Sequence, residues 1–194
     1  MKSKIIALII AIAIIAFVAN SAKVIDKGTE GQYTGVVAFD AKASSGSDWD
    51  KIAAEISNKA VDINTINAND FGTGKAVKFK ATVDDFISKA NGKRNSMIIT
   101  PENYSGNLKF TVQLGSIYSG TSIRDVQTVK AFGDFTNQTE WSQYAKALNN
   151  QLHSSVVEPL AINNSIKGKS INIIGVATAT GSEVTITPVA ITIE

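Results

Sequence analysis

The chain has 194 residues, with 19 basic and 17 acidic side chains, a single histidine and no cysteine. Two of the basic residues, Lys2 and Lys4, lie in an apolar leader, so the remaining 17 basic side chains balance the 17 acidic ones and the basic footprint expected of a nucleic-acid binder is missing. The lack of cysteine excludes disulfides, thiolate chemistry, cysteine metal sites and a lipidated cysteine together, and 44% hydrophobic with 19% charged residues is ordinary for a globular domain.

Residues 1–22 read as a leader. A basic start precedes the unbroken apolar run Ile5 to Ala19. That run is short for a bilayer core of about 30 Å and long for a signal-peptide core. Small residues around Ala19–Ala22 offer a cleavage site, and an uncleaved anchor with Lys4 and Lys23 at its ends is the competing reading. Either way, Lys2 and Lys4 favour a cytoplasmic N-terminus and an extracytoplasmic remainder.

Residues 23–72 read as a small helical N-terminal subdomain. Gln32 to Phe39 suits a short strand, and Ser44-Ser45-Gly46-Ser47 reads as a flexible loop. A helix is expected from about Asp48 to Lys59, capped by Ser47, with Trp49, Ile52, Ala53, Ile56 and Ala60 on its apolar side. Asp48 and Asp50 would then sit in its first turn, where acids favour the helix dipole. Asp62 to Gly74 reads as a turn or short helix leading to a boundary.

Residues 73–194 change period. Val77, Phe79, Ala81 and Val83 alternate with Lys78, Lys80 and Thr82, as in a half-buried strand. Met97 to Thr100 is a second strand, and Leu108 to Leu114 a third. A long loop follows, then a helix expected from Asn137 to Glu158. Trp141, Tyr144, Ala145, Leu148, Leu152 and Val156 share one face of it, Asn137 and Glu140 form a capping-box pattern, and Pro159 ends it. Ser170 to Ala177 and Val184 to Ile193 are strands four and five. This order predicts an α+β fold: an OB-like five-stranded Greek-key barrel with a helix between strands three and four.

The loop before the helix carries the densest set of polar groups. Arg124, Asp125, Asp134, Asn137 and Gln138 surround Phe132 and Phe135. They read either as a ligand or partner site, or as a structural tie in which Arg124 and Asp134 pin the long loop to the helix start. Gly120-Thr121-x-x-Arg124-Asp125, then Asp134-Phe135-Thr136-Asn137-Gln138 before a helix, resemble the signature of a bacterial family of predicted periplasmic lipoproteins, domain of unknown function 2291. Phe39-Asp40-Ala41, Trp49 through Ala60-Val61-Asp62, and Ile186-Thr187-Pro188-Val189 agree with it. The resemblance implies an extracytoplasmic protein with a small helical part and an OB-like barrel, and an association with sugar ABC transporters. It implies no activity. Most members carry a lipid-bearing cysteine where this chain has Ala22, before Lys23-Val24, so lipidation does not carry over.

Other constellations read as structural. His153, on the helix flank, has no nucleophile placed near it by any motif. Asp84 and Asp85 should point to opposite faces of a strand. Asp134, Asn137 and Glu140 supply three oxygens where calcium takes six to eight, and no metal or cofactor is expected. The outward residues of strand three, Asn107, Lys109, Thr111 and Gln113, include no aromatic platform for single-stranded nucleic acid. The expected function is a non-enzymatic binding or accessory module of the bacterial cell envelope, with sugar transporter components or a polar small molecule as partner. The alternatives are a hydrolase of an envelope polymer using Asp125 and Asp134, and a purely structural envelope protein.

Overall fold

A computed structural model describes residues 38–67 and 70–194. The leader, and the body of the strand expected over Gln32 to Phe39, lie outside the described residues. Residues Asp40–Glu194 form one compact unit.

Asp40 starts the first helix. Its carboxylate accepts from the backbone N–H groups of Lys42 and Ala43, each at 3.0 Å, and α1 runs Ala41–Lys59. The serine-rich stretch expected as a flexible loop is therefore helical. Its hydroxyls bond back along the helix, Ser45 to the Lys42 carbonyl and Ser47 to that of Ser44, instead of breaking it. Trp49, Ile52 and Ile56 form the buried side, as their spacing predicts. Asp48 is not in a first turn. It lies two turns in, buried, facing the later helix.

A two-residue strand, β1 (Val61–Asp62), pairs in parallel with Val77 and Lys78 of β2 (Lys75–Ile87). The barrel comprises β2, β3 (Ser96–Pro101), β4 (Lys109–Gln113), β5 (Ser170–Thr180) and β6 (Glu183–Ile193). Their spatial order is β2-β3-β4-β6-β5, and β5 returns to β2 to close the barrel. All pairs are antiparallel except β4–β6. β2 is long because it serves two neighbours: Lys75 to Thr82 pair with β5, and Ala81 to Ile87 with β3. A bulge between Val83 and Asp85 bends it. There Asp84 accepts from the Thr100 hydroxyl at 2.8 Å while Asp85 meets Lys167 at 3.3 Å, so the two carboxylates take separate partners. A second bulge lies at Ile174/Gly175, opposite Pro188, where a Cβ on Gly175 would come within 2.6 Å of the Thr187 carbonyl oxygen.

Alternating residues fill the barrel, among them Val77, Ala81, Met97, Phe110, Ile171 and Ile186, all buried. Between β4 and β5 the chain forms a short helix, α2 (Ser122–Val126), a 3-10 turn (Phe132–Asp134) and α3 (Gln138–Leu152). Tyr144, Ala145, Leu148 and Leu152 bury one face of α3. The helix expected to reach Glu158 changes pitch earlier. Residues His153–Val157 make a π turn, with the Glu158 N–H donating to the His153 carbonyl, and a 3-10 turn follows over Glu158–Leu160. Pro159 has no N–H to continue the α pattern. The wider turn inserts one residue into the buried stripe, so Val157 follows Leu152 into the core in place of Val156.

Candidate functional site

Gly120 opens the site with a left-handed φ of +83°, which a glycine adopts without strain. The Thr121 hydroxyl donates to Asp125 Oδ2 at 2.6 Å. Arg124 donates from Nε (2.8 Å) and Nη2 (2.6 Å) to Asp125 Oδ1, and from Nη2 to Thr121 Oγ1 (3.1 Å). Its guanidinium lies over the Trp141 ring, 4.7 Å from the centroid. Thr121, Arg124, Asp125 and Trp141 thus form one closed network. The Arg124 side chain is only 15% exposed, and among the described residues its Nη1 has no hydrogen-bond partner.

Arg124, Asp125 and Trp141 of this network line a cleft of about 490 Å³ together with Thr73, Gln127, Thr128 and Lys130. The far rim is held by buried Gln127, which donates to the Arg124 and Lys130 carbonyls at 3.1 and 2.7 Å and accepts from the Lys130 N–H at 2.8 Å. Thr128 is anchored to α1. The Glu55 carboxylate accepts from its N–H at 3.0 Å and from its hydroxyl at 2.8 Å, and also pairs with Lys59. Burial works to raise the pKa of Glu55, but the bonds from Lys59 and Thr128 outweigh it and hold the carboxyl below its ordinary value of 4.5. Behind the cleft Trp141 joins an aromatic cluster with Phe132, Phe135 and Tyr144, at centroid separations of 5.0 to 6.3 Å. Phe132 is 53% exposed.

The structure brings together two of the five residues singled out in the sequence. Arg124 and Asp125 meet at the cleft; Asp134, Asn137 and Gln138 do not line it. The Arg124–Asp134 tie does not form. Asp125 and Thr121 saturate one edge of the guanidinium, and Asp134, exposed, accepts from the Ala131 N–H at 2.8 Å. Asn137 caps α3, its Oδ1 accepting from the Glu140 N–H at 3.0 Å, while Glu140 reaches back to the N–H of Thr136 at 2.8 Å. Gln138 is exposed as the first residue of α3. Among the described residues no group of three or more histidine, cysteine or acidic side chains could hold a metal ion. The sequence reading missed Trp141 and Lys130. Trp141 fell in the apolar stripe of α3 and passed for core, yet it is half-buried on the cleft wall.

A second cleft, about 280 Å³, lies on the other side of Thr121, between the loop after β4 and α3. Ser116, Tyr118, Lys146 and Asn149 line it, and Asn149 donates to the Gly120 carbonyl at 3.2 Å.

No curated protein matches the sequence. A solved OB-fold protein from Thermotoga maritima is similar in structure, with a TM-score of 0.51 and 16% identity, over 81% of this chain and 99% of that one. The likeness extends to the fold, a closed five-stranded barrel with helices. The family model described as "Predicted periplasmic lipoprotein (DUF2291)" matches residues 12–192. The chain belongs to this family of extracytoplasmic bacterial proteins.

Proposed function

We propose that the protein is a non-catalytic binding module of the bacterial envelope, and that the Arg124 cleft receives a small molecule bearing a carboxylate or phosphate. One observation carries this reading: a guanidinium on the cleft wall fixed on three sides by Asp125, Thr121 and Trp141, with no hydrogen-bond partner on Nη1 among the described residues. A fork held in advance loses little entropy when it grips an anion. The charged residues lining the cleft are Arg124, Lys130 and Asp125, a net positive set. A hydrolase is less well supported, because Asp125 is engaged by Arg124 and Thr121 while Asp134 serves the Ala131 N–H, and the two carboxylates take different partners.

Titration of tryptophan fluorescence, to which buried Trp49 and the cleft-wall Trp141 both contribute, with glucuronate and glucose 6-phosphate, against glucose, tests it. The acidic compounds should quench saturably and glucose should not. Arg124→Ala should weaken binding by about tenfold or more. No saturable response to either acid would sink the reading. A transporter component as partner follows from the family resemblance, and co-purification of a permease with the protein from native envelopes tests that part.

A further inference from the structure

Among the described residues three buried side-chain atoms have no hydrogen-bond partner: Asn95 Oδ1, the Tyr118 hydroxyl and His153 Nδ1. Folded proteins leave few such atoms, because each gives up its bonds to water without replacement. Asn95 and His153 wall one cavity of about 240 Å³, together with Gly92, Leu114, Val157 and Glu158. The Tyr118 ring meets the His153 ring edge-on, with centroids 6.3 Å apart.

The segments that carry these three residues are held by their backbone. The Asn95 carbonyl accepts from the N–H groups of Leu114 and Gly115, at 2.8 and 3.0 Å. Ile117, next to Tyr118, donates to the Lys93 carbonyl at 2.8 Å. Gly115 passes so close that a Cβ there would lie 2.2 Å from the Lys93 carbonyl oxygen. His153 is the first residue of the π turn, a distortion of α-helices that recurs at functional sites. The polar atoms are therefore positioned before anything binds.

The lining defines the ligand. Glu158 is the one charged residue among the lining residues, and it is acidic, so nothing there attracts an anion. Asn95 Oδ1 and the Glu158 carboxylate both need donors. The neutral imidazole of His153 can donate or accept through its choice of tautomer. A water molecule's share of liquid volume is about 30 Å³, so the cavity has room for a molecule of several heavy atoms. We propose that this cavity is a second binding site, for a small neutral polyol whose hydroxyl groups bond Asn95 Oδ1 and His153 Nδ1. It is independent of the Arg124 cleft, which none of its residues lines.

His153 is the only histidine, so its ring nitrogens give one set of NMR signals. Protein labelled with ¹⁵N is titrated with myo-inositol and with erythritol while those signals are followed. At least one polyol should shift them saturably. Asn95→Leu should weaken that response by about tenfold. Arg124→Ala should leave it unchanged, which separates this site from the proposed anion cleft. Should Asn95→Leu fail to fold, a crystal soaked in the polyol decides. Unchanged His153 signals with both polyols would overturn the proposal. So would equal affinity in Asn95→Leu, or a crystal soaked in the polyol in which ordered water alone meets Asn95 and His153.

Discussion

The Tyr144 hydroxyl donates to Asp48 Oδ2 at 2.9 Å, joining the buried faces of α3 and α1 across 96 positions of sequence. Burial, and then the carboxylate, push the Tyr144 phenol well above its ordinary pKa, so it stays a donor at any pH the fold survives. Asp48 is 7% exposed, and losing this donor leaves its carboxylate desolvated. Tyr144→Phe should therefore destabilise by about 1.5–3 kcal/mol, more than a neutral hydrogen bond would. Urea unfolding of Tyr144→Phe, Asp48→Asn and the double mutant should show the double losing less than the sum. Additive losses would mean the bond contributes nothing.

The Arg124 network makes a sharper claim, because it replaces a pairing that the sequence suggested. In a denaturant double-mutant cycle, Arg124→Ala and Asp125→Ala should couple by more than about 0.5 kcal/mol. Arg124→Ala and Asp134→Ala should add within about 0.5 kcal/mol. The reverse result would restore the Arg124–Asp134 tie.

Glu55 sets a pH dependence. Its folded pKa is depressed, so its stabilisation is complete above the ordinary value of 4.5 and is lost as pH falls through the folded value. Glu55→Gln should be less stable than the parent at neutral pH, and the gap should narrow on acidification towards about pH 3. The urea midpoint of both proteins across that range is the measurement; a gap that widens in acid would contradict the bonds to Thr128 and Lys59.

Two glycines separate backbone crowding from simple flexibility. A Cβ on Gly115 would strike the Lys93 carbonyl, while nothing lies within 4 Å of one on Gly133. Gly115→Ala should cost about 1–3 kcal/mol and Gly133→Ala should stay within about 0.5 kcal/mol of the parent. Thermal unfolding of both variants tests this, and equal Tm values would contradict the close approach.

How much of this was legible in the sequence depended on which force acted. Burial writes itself as a period, so Val77 to Val83, the apolar side of α1 and the stripe from Tyr144 to Leu152 were all readable. A cap with a short-range partner was readable too, as at Asn137. The start of α1 was not, because glycine and serine at 44–47 resemble a loop by composition, and the helix there depends on Asp40, upstream of the serines. The π turn was not, because a stripe read at 3.6 residues per turn hides an extra residue until Val157 is seen to be buried. At the candidate site, charge composition pointed to the right segment and the wrong partner. Which carboxylate Arg124 takes is decided by side-chain direction around one short helix, and neighbouring residues in sequence are ordinarily poor partners on a helix.

The strand order carries a consequence for how the chain can fold. β6 is bonded to β4 on one side and β5 on the other, and β5 closes on β2 about a hundred residues upstream. A chain emerging from its N-terminal end therefore presents β2, β3 and β4 as an open sheet with apolar inner residues uncovered. No early segment can seal it, because the gap has the width of β5 and β6 together. Acquisition of the native state is postponed until both late strands have arrived, and such long-range closure is slow.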